Sequence, residues 1–313
     1  MARKRKGNPI HGWLVIDKPA GMTSTQVLAR ARWLLQAQKA GHGGTLDPLA
    51  TGVLPIAFGE ATKTVAYAMD GRKTYQFTLC WGEQRTTDDT EGTVIATHAH
   101  RPDGAAIEAA LPRFTGVIDQ TPPPFSAIKV DGERAYDLAR EGIAVILEPR
   151  PVRIDRFVLI GQADADHAEF RVDCGKGTYV RALARDLALA LGTVAHITVL
   201  RRLRVGRFTL DNAISLDDLT QRVQSAAIDH LLLPIETALD DIPALALSAP
   251  EAHRLKLGQS VTLLSRQDRD QLLGLGNGSG DGQGVAIAMC GSTPVALVRV
   301  EGAEIRPVRV LNL

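Results

Sequence analysis

The stretch "TYVRALARDLALALGT", residues 178–193, carries the strongest helical signal in the chain. Val180, Leu183, Ala184, Leu187 and Leu191 fall on one side of a 3.6-residue period, and Gly192 stands where a helix ends. Arg181 and Arg185, four residues apart, share another face. The rest has to be assembled from shorter pieces. "TYQFTLCWG", "GTVIATHAH", "EPRPVRIDRFVLIG" and "HAEFRVDCGKGTY" are rich in β-branched and aromatic residues and read as strands. A short apolar strand, Trp13 to Ile16, precedes a turn through Lys18, Pro19 and Gly21. Thr23 and Gln26 then have the spacing of a capping box, followed by a helical stripe of Val27, Leu28, Ala31, Leu34 and Leu35. Residues 104–116 read as a helix, and a short strand is expected before the arginine cluster "LRRLRVGRF".

"TPPPFSAIKVDGERAYDLAREG" begins with three prolines, which cannot continue a strand ladder. Residues 122–150 are therefore expected to leave the core as a protruding arm, with a short helix near Ala135–Arg140. Past residue 245 the texture changes. "SAPEAHRLKLGQ" reads as a short helix, and the strands after it are split by the glycine-rich connector "GLGNGSGDGQG". Two units are expected, residues 1–245 and 246–313, as suits a length of 313 residues.

Composition removes several functional classes. Cys80, Cys174 and Cys290 lie too far apart for a zinc or redox motif. "MARKRKGNP" is basic but no apolar segment follows, and no run reaches membrane-spanning length, so a cytoplasmic protein is expected. A net charge of +1 argues against a chain that is basic throughout. The charge is uneven, however. Basic residues bunch at 3–6 and 201–207, and acidic ones in "TTDDTEG" and "ETALDDI"; each cluster fits a solvated face as well as a contact patch. "CGKGTY" lacks the glycine spacing of a phosphate loop, and His98 with His100 has no nearby third metal ligand.

"AGHGGTLDPLATGVLP", residues 40–55, holds a single carboxylate, Asp47. Asp-Pro favours a turn, and Pro48 confines Asp47 to extended geometry. Gly43, Gly44 and Gly52 permit another chain to approach closely, and His42 is a flat side chain five residues upstream. The residues alone leave two readings open: an ordinary turn, or a loop presenting one fixed carboxylate to a planar ligand.

This block, with "GEATK" after it, resembles the signature of the TruB family, the stand-alone bacterial tRNA pseudouridine synthases that modify uridine 55 in the TΨC arm. "LVIDKPAGMTS", "KTYQFTLCWG", "TPPPFSAIKVDGERAYDLAREG", "CGKGTYVRALARDLALALGT" and "HITVLRRLRVGRF" resemble the family's other blocks in the same order. The likeness spans residues 10 to 235, and the tail resembles the small RNA-binding β-barrel called PUA. Gly43 departs from members that carry Thr there, and the 274–284 connector looks longer than usual. The resemblance implies an α+β fold: a mixed, largely antiparallel sheet with flanking helices, plus a small C-terminal β-barrel.

It also implies chemistry. The N1–C1′ bond of uridine breaks, the uracil turns, and C5 joins C1′, with neither cofactor nor metal. Asp47 acts as nucleophile or as base at the sugar, and either role needs it ionised, so a cationic partner is expected. By the resemblance that partner is Arg181. Tyr75 stacks on the target base and is a candidate to take the C5 proton, Leu200 lines the base pocket, and Tyr179 frames it. His42 helps to hold the flipped nucleotide out of its stack. Lys18 and Lys63 contact phosphate or position loops. The arm clamps the RNA stem-loop, with Lys129 and Arg134 suited to its backbone. The implied partner is the TΨC stem-loop of tRNA alone, with no protein partner and no membrane, bound by a monomer. Three rival readings compete with it: a carboxylate-based nucleoside hydrolase, a non-catalytic RNA-binding or RNA-folding protein, and a guide-RNA-dependent relative. Hydrolysis usually wants two carboxylates, and the Asp47 block holds one. Retention of Asp47, Tyr75 and Arg181 opposes the second rival, and the long arm without large basic extensions opposes the third.

Overall fold

In a computed structural model describing residues 7–313, apart from 131, 144, 226–229, 240–241, 263–283 and 302–303, ten strands form one large sheet. Its main path runs Ala213–Ile214, Gly12–Lys18, Thr51–Phe58, Ala195–Val205, Lys73–Trp81, His167–Cys174, Arg150–Gln162 and Gly116–Gln120. Ala213–Ile214 lies parallel to Gly12–Lys18, and Thr51–Phe58 lies parallel to Ala195–Val205; the other pairings on this path are antiparallel. The central parallel joint is short, pairing only Arg201 with Thr51 and Arg202 with Gly52. The loop that carries Asp47 feeds directly into this joint.

Alternation along the strands builds the cores. On one face, Leu14, Ile16, Leu54, Ile56 and Phe58 pack on Val27, Ala31 and Leu34 of the helix Ser24–Leu34. Both arms of its capping box, Thr23 and Gln26, are formed. In the other half of the sheet, Phe77, Leu79, Phe170 and Val172 pack on Leu183, Ala184 and Leu187 of the helix Val180–Ala190. That helix stops at Leu191, with Gly192 at φ +69°. Trp13, Val15, Val53 and Ala57 point to the opposite face, against Phe208, Ile235 and Leu311.

Several elements differ from expectation. The helix over 104–116 is three elements: a helix Gly104–Ala110, a 3₁₀ turn Leu111–Phe114 and an edge strand Gly116–Gln120. Pro112 enters the tighter turn near its start, and Gly116, at φ +100°, redirects the chain into the sheet. "GTVIATHAH" contributes only Val94–Thr97, in a separate ribbon with Glu83–Arg85. The short strand expected before the arginine cluster is longer, Ala195–Val205, and runs through Arg201, Arg202 and Arg204.

The arm is the connection of a wide hairpin. Gln120 pairs with Arg150, and between them lie the short strands Lys129–Val130 and Glu133–Arg134 and the helix Ala135–Arg140. A second, five-stranded sheet begins at Ala244–Ala246 and continues through Val285–Cys290, Thr293–Glu301, Glu304–Val310 and Val261–Thr262. The helix Ala249–Lys256 closes it with Ala252 and Leu255. The connector expected at 274–284 falls, except for Gly284, outside the described residues. No helix among the described residues is long and apolar enough to cross a membrane.

Candidate active site

The loop before Thr51 is pinned at nearly every residue. The Ser24 hydroxyl accepts from the Leu46 amide at 2.8 Å and donates to the Leu46 carbonyl at 3.1 Å. The Gly21 amide donates to the Pro48 carbonyl at 2.9 Å, and the Ala50 amide to the Asp47 carbonyl at 3.1 Å. From the neighbouring strand, Arg202 donates to the carbonyls of Gly44 (3.0 Å), Thr45 (3.2 Å) and Val53 (2.8 Å). Gly52, at φ +99°, lets the Arg202 backbone pass where any Cβ would collide with its carbonyl oxygen. The close approach expected at Gly52 is thus made by the chain's own strand. With its backbone held this way, Asp47 has one direction in which to point.

It points at Arg181. The Arg181 Nε donates to Asp47 Oδ2 at 2.9 Å; the arginine side chain is 5% exposed and the aspartate 35%. Arg181 Nη1 donates to the Thr87 carbonyl and Nη2 to the Phe125 carbonyl, each at 2.9 Å. All three guanidinium nitrogens are therefore engaged, and the cation is a fixed feature of the site. Arg181 leaves the first turn of its helix, whose N-cap is Tyr179 with no side-chain cap; the Thr178 hydroxyl donates to the Gly175 carbonyl.

Sequence reasoning missed the acidic loop that completes this cluster. "TTDDTEG", read as a contact patch or solvated face, brings Asp89 Oδ2 to 3.7 Å from Arg181 Nε. Asp89 Oδ1 accepts from the Thr87 hydroxyl at 2.5 Å and the Glu91 amide at 3.0 Å. Burial first, then Asp89 and Asp47, pushes the Glu91 carboxyl above its usual range. A second carboxylate does come near Asp47, although its own block supplies none. No spacing rule links residues 47, 89 and 181; only the fold brings them together.

Beneath the loop lies an apolar cluster. Tyr75 (9% exposed) and Leu200 (5% exposed) sit in one cluster with Leu46, Ala50 and Val180. Burial pushes the Tyr75 phenol up, with the Arg202 guanidinium opposing. Tyr179 is tied to Gln120: its backbone amide donates to Gln120 Oε1 at 2.8 Å, and its carbonyl accepts from Gln120 Nε2 at 3.1 Å. Burial raises its phenol too. His42 is half-buried opposite Ile56, its imidazole pushed down by burial and then by Arg202. Its Nδ1 is buried without a hydrogen-bond partner among the described residues.

The two lysines part company. Lys18 has no exposed surface, and its Nζ donates to the carbonyls of Met22 (2.6 Å), Pro19 (2.9 Å) and Pro48 (3.0 Å). It holds the Asp47 loop from below rather than reaching out toward phosphate. Lys63 is not brought to Asp47. Its Nζ joins Glu60 at 2.6 Å and the Val310 carbonyl at 2.6 Å, tying the 3₁₀ helix Gly59–Thr64 to the last strand.

Comparison with known proteins identifies the family of the chain. Residues 32–180 match the N-terminal domain of the TruB family of pseudouridylate synthases, and residues 181–240 match the tRNA pseudouridylate synthase B C-terminal domain. The chain is 54% identical over 313 residues to a protein of Rhodospirillum rubrum named tRNA pseudouridine synthase B, with both chains fully covered. It is 55% identical over 315 residues to the one of Gluconacetobacter diazotrophicus, covering 99% of this chain and 100% of that protein. Among solved structures, an H/ACA RNP bound to a substrate RNA containing 2′-deoxyuridine matches with a TM-score of 0.70 at 22% identity, covering 100% of this chain and 92% of that one. A Cbf5–Nop10–Gar1 complex matches with a TM-score of 0.71 at 25% identity, covering 96% and 85%. These structures share the α+β sheet architecture. The loop, its arginine and the full-length sequence likeness lead to one assignment: the chain belongs to the TruB family of pseudouridylate synthases.

Proposed function

We propose that this chain isomerises uridine 55 in the TΨC arm of tRNA to pseudouridine, acting alone in the cytoplasm on a base flipped out of its stack. The observation that carries the reading is the Asp47–Arg181 pair: a carboxylate aimed by a clamped loop, with a buried guanidinium 2.9 Å away and an apolar cluster below. During the reaction the N1–C1′ bond breaks, a C5–C1′ bond forms, C5 gives up its proton and N1 regains one. The turnover balances without an oxidant or reductant. Asp47 works at the sugar, as nucleophile or as base, with Arg181 holding its charge and direction.

Tyr75 and Leu200 receive the uracil. A buried phenol pushed upward favours its protonated form, so stacking is the role its surroundings support best. The depressed His42 is a neutral flat ring, suited to sit beside the extruded nucleotide. Lys18 and Arg202 hold the loop, and Tyr179 frames the pocket. The arm takes the stem-loop with Lys129, while the unit that begins at Ala244 supplies a second RNA contact. Asp89 is already bonded to Thr87 and Glu91 and lies against Arg181, which leaves it poorly placed as a hydrolase's second carboxylate.

The test is an unmodified tRNA transcript labelled at uracil C5. Wild type is expected to release label with no free uracil. Asp47→Asn should release none while still binding tRNA. Equal release by the variant would remove Asp47 from the chemistry, and free uracil would point to hydrolysis.

A further inference from the structure

The helix Val180–Ala190 sends out two arginines, one turn apart, and both bridge the same two segments. Arg181 joins the Thr87 carbonyl to the Phe125 carbonyl. Arg185 repeats the pattern further along. Its Nη2 donates to the Thr121 carbonyl at 2.8 Å, its Nη1 lies 3.5 Å from Asp88 Oδ2, and its Nε bonds Asp186 at 2.9 Å. Thr121 is the last residue before the three prolines where the arm departs. Asp88 is 4% exposed and is held in a left-handed conformation, φ +58°. Its amide donates to the Arg85 carbonyl and its carbonyl accepts from the Ile197 amide, each at 3.0 Å, so the acid is anchored to the large sheet.

We propose that Arg185 is a positioning residue that braces the base of the arm against the 87–89 loop and so sets how the arm closes on the RNA. The inference rests on the reading that the arm clamps tRNA. Arg185 makes its contacts with Asp88, Asp186 and Thr121, whereas Arg181 alone of the two reaches Asp47. Its loss should therefore weaken substrate binding far more than turnover.

The brace has a built-in pH dependence. Burial pushes the Asp88 carboxyl up to about 6, opposed by Arg185 and then Arg181, with the Gln84 side chain bonded to it and Asp186 adding a like charge. From the neighbouring strand, His196 turns its Nδ1 to the Glu83 carbonyl at 2.9 Å. Asp88 is thus anionic at neutral pH, and the pair loses its negative member below about pH 6.

Label-release kinetics for wild type, Arg185→Ala, Arg185→Lys and Asp88→Asn test this between about pH 5.5 and 8. Arg185→Ala should raise KM about tenfold, the factor matching one charge-assisted hydrogen bond, with kcat kept within about threefold. Arg185→Lys should recover part of the loss. Wild-type KM should climb below about pH 6, while Asp88→Asn should show a raised KM with no such climb. An unchanged KM in Arg185→Ala, a loss confined to kcat, or a wild-type pH profile in Asp88→Asn would overturn the proposal. If Arg185→Ala does not fold, Arg185→Lys and Asp88→Asn decide it. If wild type releases no label, the functional reading fails instead, and filter binding of the same tRNA still compares the variants.

Discussion

Removing a lysine from water is costly, and Lys18 shows how the site bears that cost. Its ammonium has three carbonyl acceptors, yet burial still lowers its pKa from 10.5 to about 8, with Asp47 partly opposing the shift. For a base with a depressed folded-state pKa, the unfolded chain holds more protons between about pH 8 and 10.5, so stability rises with pH across that window. The gain is about 3 kcal/mol for a shift of this size. Lys18→Met lacks the titration, and Lys73, also lowered to about 8, is common to both proteins. Urea unfolding along a pH series should show wild type gaining on the variant by up to about 3 kcal/mol as pH rises through this window. A gap that stays constant would show that the buried ammonium carries no such penalty. At this scale the sequence revealed some partners and hid others. Asp47 and Arg181 were legible because they sit in recognisable blocks, and the fold joins the two in an ion pair. Arg202 and Asp89 were not. Each lies in a charged run that reads as solvated, and each is buried because a distant segment supplies its partner: the carbonyls of residues 44, 45 and 53 for Arg202, and Arg181 for Asp89.

Between elements, two glycines show why local pattern predicts helices better than joints. Gly192 and Gly52 both have positive φ, at +69° and +99°. A Cβ at Gly192 meets nothing within 4 Å, whereas one at Gly52 runs into the Arg202 backbone. Gly192→Ala should therefore cost only the left-handed strain of about 1 kcal/mol. Gly52→Ala adds a backbone clash at the sheet's narrow central joint and should cost about 3 kcal/mol or more. Chemical unfolding of both variants checks the contrast. Label release should separate them too, falling in Gly52→Ala because the Asp47 loop must shift. Similar costs would mean that the joint yields freely. The helix ending at Gly192 was legible down to its stop residue, because its stripe and terminator are contiguous in sequence. The edge strand Gly116–Gln120 was not, since "TGVIDQ" has no period of its own and becomes a strand only by pairing with Arg150–Ile154. The arginine-rich strand was hidden similarly: a bulge between Arg202 and Arg204 breaks the alternation that would have marked it.

For the whole molecule, the open question is whether the two sheets melt together. The last strand does not simply trail from its own sheet. Lys63 grips the Val310 carbonyl, Glu60 accepts from the Asn312 amide at 2.8 Å, and Leu311 is fully buried in the cluster of Trp13, Phe208 and Ile235. Leu239, Ile287 and Leu297 add a second apolar contact between the two parts. The C-terminal end thus completes the core of Trp13, Phe208 and Ile235 on the large sheet. That coupling was invisible in the sequence, where residues past 245 read as a separate appendage. All three tryptophans, Trp13, Trp33 and Trp81, lie in the N-terminal part, and Trp13 shares a core with Leu311. Leu311→Ala should open a cavity costing about 3 kcal/mol and lower the tryptophan-reported transition, although the substitution is two residues from the last residue of the chain. If the tail folds independently, tryptophan fluorescence would keep its wild-type midpoint while far-ultraviolet dichroism showed a separate early loss of strand. A coincident shift in both signals would mean that the C-terminal sheet and the large sheet form one cooperative unit.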